Sequence, residues 1–136
     1  MTKIANPMRD AITTILAESI RIKQQAVETQ IEALTAAAEM LVTCIASGHK
    51  ILIFGNGGSA ADAQHIAAEF VNRFEIERRP LPAIALTTDT SIITSIGNDY
   101  AFEQIFSKQV QAIGKKDDVA WGISTSGNSP NVVAGL

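Results

Sequence analysis

The sequence predicts an α/β fold in which a parallel sheet is covered by helices on both faces, with a helical segment ahead of it. Three observations carry this expectation. Between residues 7 and 47 apolar residues recur every three and four positions, a helical period. After Gly48 the texture changes to short, continuous apolar runs of strand length at 50–54, 82–86 and 119–123. Each run ends in small or polar residues and is followed by another helical pattern, as expected when parallel strands are buried on both faces.

In the first segment Ile12, Ile15, Leu16 and Ile20, and then Ile31, Leu34, Ala38, Leu41 and Ile45, carry the period. The spacing predicts a helical hairpin over 1–48 with its join within 24–29, packed on its own domain or on a second subunit. Pro7 suits a first helical turn and Gly48 a left-handed C-cap. The α/β core is expected over 49–136, with helices from Ser59 to about Arg73, from Thr90 to Ser95, and from Phe102 to about Ile113 ahead of Gly114. A fourth helix begins near Asn128 and stops at Leu136, so the pattern reads as a doubly wound sheet short of its C-terminal strands and helix. With no repeats and no linker composition, 1–136 reads as a single domain.

The composition sets bounds on function. With 46% hydrophobic and 18% charged residues among 136, the chain can bury a core and is not a disordered tail. Eleven Lys and Arg against 14 Asp and Glu give a net charge of -3, which withholds the attraction that non-specific nucleic-acid binding needs. One cysteine, Cys44, forms no internal disulfide and there is no CxxC, so a disulfide scaffold and a zinc finger are both disfavoured, and a reducing, cytoplasmic setting is expected. No secretory signal opens the chain, and its uninterrupted apolar stretches fall short of the roughly 20 residues that span a bilayer, so no membrane partner is expected. Cys44, Phe54 and Trp121 are expected in the core, and His49 beside a helix C-terminus.

Two loops carry candidate chemistry. Gly55, Asn56, Gly57, Gly58 and Ser59 join a strand to a helix, where glycines admit a ligand to the backbone and free N–H groups favour an anion such as phosphate. The alternative is a tight turn with Asn56 and Ser59 as caps. The loop has neither GxGxxG nor Gly-Lys-Ser/Thr, which disfavours those two nucleotide-binding modes. Ser124, Thr125, Ser126, Gly127, Asn128 and Ser129 form the second loop, a neutral set of hydroxyls, amide and N–H groups suited to a phosphoryl group, or alternatively a capping run.

On the helix after the first loop, His65, Glu69 and Arg73 at i, i+4 and i+8 are expected on one face. Such a pair as His65 and Glu69 can hold a divalent metal, Glu69 can move a proton beside a carbonyl, or all three are ordinary helix-surface pairs. Residues 87–90 and Gly97, Asn98 and Asp99 either reach the same crevice or act as turn and cap residues.

Taken together, Gly-Asn-Gly-Gly-Ser at 55–59, His-x-x-x-Glu at 65–69, Gly-Asn-Asp at 97–99 and Ser-Thr-Ser-Gly-Asn-Ser at 124–129 resemble the phosphoheptose isomerases of the sugar isomerase (SIS) domain family. The resemblance runs over the whole chain. It implies a flavodoxin-like five-stranded parallel sheet flanked by helices, a homotetramer, and conversion of sedoheptulose 7-phosphate into D-glycero-D-manno-heptose 7-phosphate through an enediol, for the heptose of bacterial lipopolysaccharide or related surface glycans. It further implies that Asn56, Gly57, Gly58, Asn98 and Asp99 contact the sugar phosphate, with Arg73 near it, and that Ser124, Thr125, Ser126 and Ser129 hold the phosphate. His65 and Glu69 match two of the family's zinc ligands, and Glu69 its catalytic base. The family's other ligands, a Gln and a His on a C-terminal helix, have no counterpart in these 136 residues. A sister family of the same fold binds the replication initiator DnaA, and a sugar-phosphate sensor is a further alternative; Glu69 and the second glycine of the first loop favour the enzyme.

Overall fold

The computed structural model describes residues 6–136. It forms two compact units, one ending at Met40 and the other spanning Leu41–Leu136, with the division inside the N-terminal helix.

The expected hairpin is a single helix, α1, running 40 residues from Pro7 to Ala46. No glycine or proline lies between Pro7 and Gly48, and residues 24–29 are Gln, Gln, Ala, Val, Glu and Thr, each costing at most about 0.7 kcal/mol in a helix relative to Ala. A turn there has nothing to favour it. Arg21 donates to Gln25 at 3.1 Å and the Thr29 hydroxyl donates to the Gln25 carbonyl at 2.9 Å, so local bonds run straight through the expected join. At the start, the Asn6 side chain accepts from the Arg9 N–H at 3.2 Å and Pro7 occupies the first turn.

In the unit ending at Met40 the periodic residues face outward: Ile12, Leu16, Ile20, Val27, Ile31 and Leu34 are each about half exposed or more. By length and composition alone α1 is long and apolar enough to cross a membrane, although polar residues interrupt its apolar stretches. Against a span stand Glu32 and Glu39, since a charged side chain at a bilayer centre costs about 3 kcal/mol.

In the second unit, α1 ends in a Schellman motif. Gly48 takes φ +83°, its N–H bonds the Ile45 carbonyl at 3.1 Å, and the His49 N–H bonds the Cys44 carbonyl at 3.0 Å. Then follow β1 (Ile51–Gly55), α2 (Gly58–Val71), β2 (Ala83–Ala85), α3 (Thr90–Asp99), a 3-10 turn (Phe102–Gln104), α4 (Ser107–Ile113), β3 (Val119–Ile123) and α5 (Pro130–Ala134). The sheet is parallel with order β2-β1-β3. The expected helix over 102–113 is divided, and α3 continues past Ser95 to Asp99. Asp89 caps α3 by accepting from the Ile92 N–H at 2.9 Å, and the Thr94 and Ser95 hydroxyls bond back to carbonyls one turn earlier, so Gly97 is carried inside the helix.

Central β1 alternates between two cores. Ile51 and Ile53 pack with Cys44, Ile45, Ala63 and Ala67, from the end of α1 and from α2. Leu52 and Phe54 point the other way, into Leu86, Ile105, Phe106 and Val132. The Phe54 and Phe106 rings stack at 5.0 Å. Trp121 is half-buried against the first core, where full burial was expected.

The register of β1 against β3 is held by Asp118. Its carboxylate accepts from the Lys50 N–H at 3.0 Å, from the Lys115 N–H at 2.7 Å, and from the Lys50 ammonium. His49 lies 3.8 Å from the same carboxylate, so its side chain faces Asp118 while its backbone N–H does the capping.

Candidate functional site

Because β1 and β3 are neighbours, the loops that leave their carboxyl ends lie side by side. The chain departs to opposite sides of β1 there, and open parallel sheets bind ligands at such switch points. At Gly55 a Cβ would fall 2.7 Å from the Ile123 carbonyl oxygen and 2.8 Å from the Ser59 Cβ, so only glycine lets the two loops approach this closely. Gly57, at φ +55°, is the N-cap of α2 and no side chain caps that helix, which removes the capping alternative for Asn56. Nothing stands within 4 Å of a Cβ built on Gly57 or Gly58, so their backbone faces open space.

The amide of Asn56 is instead paired with that of Asn131, each donating to the other at 2.8 Å. Asn131 is a residue that sequence reasoning missed. It is 2% exposed on α5, and its signal was only a polar residue on a helix that had to pack against the sheet.

The second loop is not a capping run either. Ser129 is the N-cap of α5 but makes no side-chain cap bond. The Ser124 hydroxyl lies 3.0 Å from that of Ser129 and 3.4 Å from that of Ser126, which accepts from the Asn128 N–H at 3.2 Å. Three hydroxyls thus converge, with Thr125 exposed beside them. Gly127, at φ +69°, turns the loop.

A cavity of about 150 Å³ opens beside the first loop. Gly55, Asn56, Gly57 and Ala60 form one wall, Thr87 another, and Ile93, Phe102, Ile105 and Phe106 an apolar floor. Thr87 donates to the Ala60 carbonyl at 3.3 Å and Gln64 donates to the Thr87 hydroxyl at 3.2 Å, which ties the loop after β2 to α2.

The His65 Nε2 and Glu69 Oε1 atoms stand 3.4 Å apart on α2, the imidazole 75% and the carboxylate 32% exposed. They are the two donor types that zinc takes, and they fit as part of a ligand set. Among the described residues no third His, Cys, Asp or Glu joins them.

One expectation changes. Arg73 does not share their face, because α2 ends at Val71 and Arg73, beyond it, pairs with Glu77 at 2.8 Å. A second arginine, not expected, closes that helix end: Arg78 donates to the Glu69 carbonyl at 2.7 Å and the Phe70 carbonyl at 2.9 Å. Asn98 and Asp99 pair with each other at 2.8 Å and do not line the cavity. They end α3, about 15 Å of helix from its start beside β2.

The model of the SIS domain matches residues 15–136. The chain belongs to the SIS domain family. A phosphoheptose isomerase of Nitratidesulfovibrio vulgaris is 60% identical over 119 residues, 88% of this chain and 57% of its own length. Another, from Aquifex aeolicus, is 57% identical over 129 residues, 95% of this chain and 68% of its own. The solved structure of a phosphoheptose isomerase from Francisella tularensis superposes with a TM-score of 0.89 at 43% identity, covering 96% of this SIS chain and 68% of that one. One from Neisseria gonorrhoeae gives 0.86 at 51% identity, covering 94% and 67%. The chain therefore spans between 57% and 68% of the length of these relatives. Their names do not favour the regulatory alternative.

Proposed function

We propose that the protein acts as an aldose–ketose isomerase, converting sedoheptulose 7-phosphate into D-glycero-D-manno-heptose 7-phosphate. The observation that carries this reading is the convergence of Ser124, Ser126 and Ser129 hydroxyls beside the glycine loop at the switch point, in a chain so similar to phosphoheptose isomerases. Those hydroxyls, with Thr125, hold the phosphate without a lysine, and the open backbone of Gly57 and Gly58 contacts the sugar phosphate. Asn56 meets the sugar. The carboxylate of Glu69 takes the proton from the carbon beside the carbonyl, and the enediol is reprotonated at the neighbouring carbon. His65 and Glu69 would be two of the ligands of a zinc ion, which when bound would polarise the sugar oxygens. Asn98 and Asp99 would contact the sugar phosphate, with Arg73 near it, from outside the cavity lining of this chain.

The same reading includes a homotetramer, for which the exposed apolar stripe of α1 is the support, a cytoplasmic setting, and a product used for bacterial lipopolysaccharide or related surface glycans. A net charge of -3 supports a protein that binds neither nucleic acid nor an anionic membrane surface.

The test is to incubate the full-length protein with sedoheptulose 7-phosphate and follow the aldose by NMR. Glu69→Gln should slow conversion by about 100- to 10,000-fold while phosphate binding survives. Unchanged turnover would remove Glu69 from the role of base, and no conversion by the unmodified protein would overturn the reading.

A further inference from the structure

We infer that Asn131 is a positioning residue: its buried amide sets the orientation of Asn56 and holds the glycine loop at a fixed distance from the serine cluster. The inference rests on the isomerase reading above and adds a residue to it.

The geometry is specific. The two side chains are 75 positions apart in sequence, yet each donates to the other at 2.8 Å. In such a cyclic pair each amide spends one N–H and one lone pair, so Asn56 keeps one donor and one acceptor position beside the cavity that it lines. The donor and the acceptor that remain point outward on either side of the Asn56 side chain, where each can meet a hydroxyl of a sugar chain. Asn56 caps no helix, since Gly57 is the N-cap of α2 without a side-chain bond. Asn131 follows Ser129 by two residues, so the same pair links the phosphate-holding loop to the sugar-holding one. At 2% exposure its amide cannot turn to water, and losing its partner would leave a buried polar group unsatisfied. An amide left free to rotate would present donor and acceptor in either order.

Asn131→Ala and Asn131→Asp in the full-length protein test this. Asn131→Ala should lower kcat/KM for sedoheptulose 7-phosphate by about 10- to 100-fold, mostly through KM. Asn131→Asp, assayed only at pH values where circular dichroism shows it fully folded, has a readout that a purely structural role would not produce. Its protonated carboxyl can donate to Asn56 Oδ1 and accept from Asn56 Nδ2, restoring the cyclic pair, whereas its carboxylate faces Asn56 Oδ1 with a second acceptor. Burial raises the pKa of such a carboxyl, so the ratio of variant to unmodified kcat/KM should rise at least about tenfold between about pH 8 and pH 5. The ionisable groups on the elements packed against α5 are Glu103 on the 3-10 turn and Lys108 on α4; both proteins carry them, and the ratio cancels their titration. A flat ratio, or Asn131→Ala turning over like the unmodified protein, overturns the inference and leaves the isomerase reading intact. An unmodified protein that converts no sugar phosphate overturns both.

Discussion

At the scale of single residues, the strongest electrostatic commitment is Asp118. Burial by itself would raise its pKa, but the Lys50 ammonium and the N–H groups of Lys50 and Lys115 outweigh that and hold the carboxyl at about 2, below its usual 3.8. Because the folded value is depressed, the stabilisation is present above about pH 4 and is lost as pH falls toward 2, amounting to about 2 kcal/mol. Asp118→Asn should therefore destabilise the protein at pH 7 by about that much, and the gap to the unmodified protein should narrow to less than half in urea titrations at about pH 2.5. Gly55 is the second such residue. Gly55→Ala places a Cβ 2.7 Å from a backbone oxygen, and the forced shift should cost about 1–3 kcal/mol, read as a lower Tm. Cys44 is inert by contrast, since burial pushes its thiol pKa up and its Sγ donates to the Lys50 carbonyl at 3.4 Å.

At the scale of elements, the strands were legible because each is a continuous apolar run. Central β1 sits one residue later than the run at 50–54, since Lys50 serves Asp118 and Gly55 still pairs with Ile123. The helices were legible in place but not in extent. A periodic pattern over 7–47 is compatible with one helix or two, and the decision belongs to the absence of a breaker, not to the apolar spacing. At α2 the reverse error arises, because i, i+4, i+8 spacing assumes that the helix continues and Asn72 ends it. Arg78 and Asn131 were invisible for one reason: each acts through a bond to a backbone or side chain distant in sequence or across a turn, and neither stands out by composition.

At the scale of the whole molecule, α1 carries an exposed apolar stripe among the described residues, and the proposed tetramer is what it would serve. Ile31→Glu combined with Leu34→Glu should reduce the mass of the full-length protein in light scattering to that of one chain, with the far-UV circular dichroism retained. An unmodified protein already at one-chain mass would overturn the tetramer. By itself the sequence determined the α/β class, the parallel strands, the two polar loops and the SIS resemblance, because these depend on local pattern and on residue types at short spacing. Which of those residues meet follows from the packing of the elements. It joined Asn56 to Asn131 and Ser124 to Ser129, set Arg73, Asn98 and Asp99 apart from the cavity, and made Asp118 the lock between β1 and β3. The reason is that strand order is not written in strand sequence: placing β1 between β2 and β3 is what brings residues 75 positions apart within hydrogen-bonding distance.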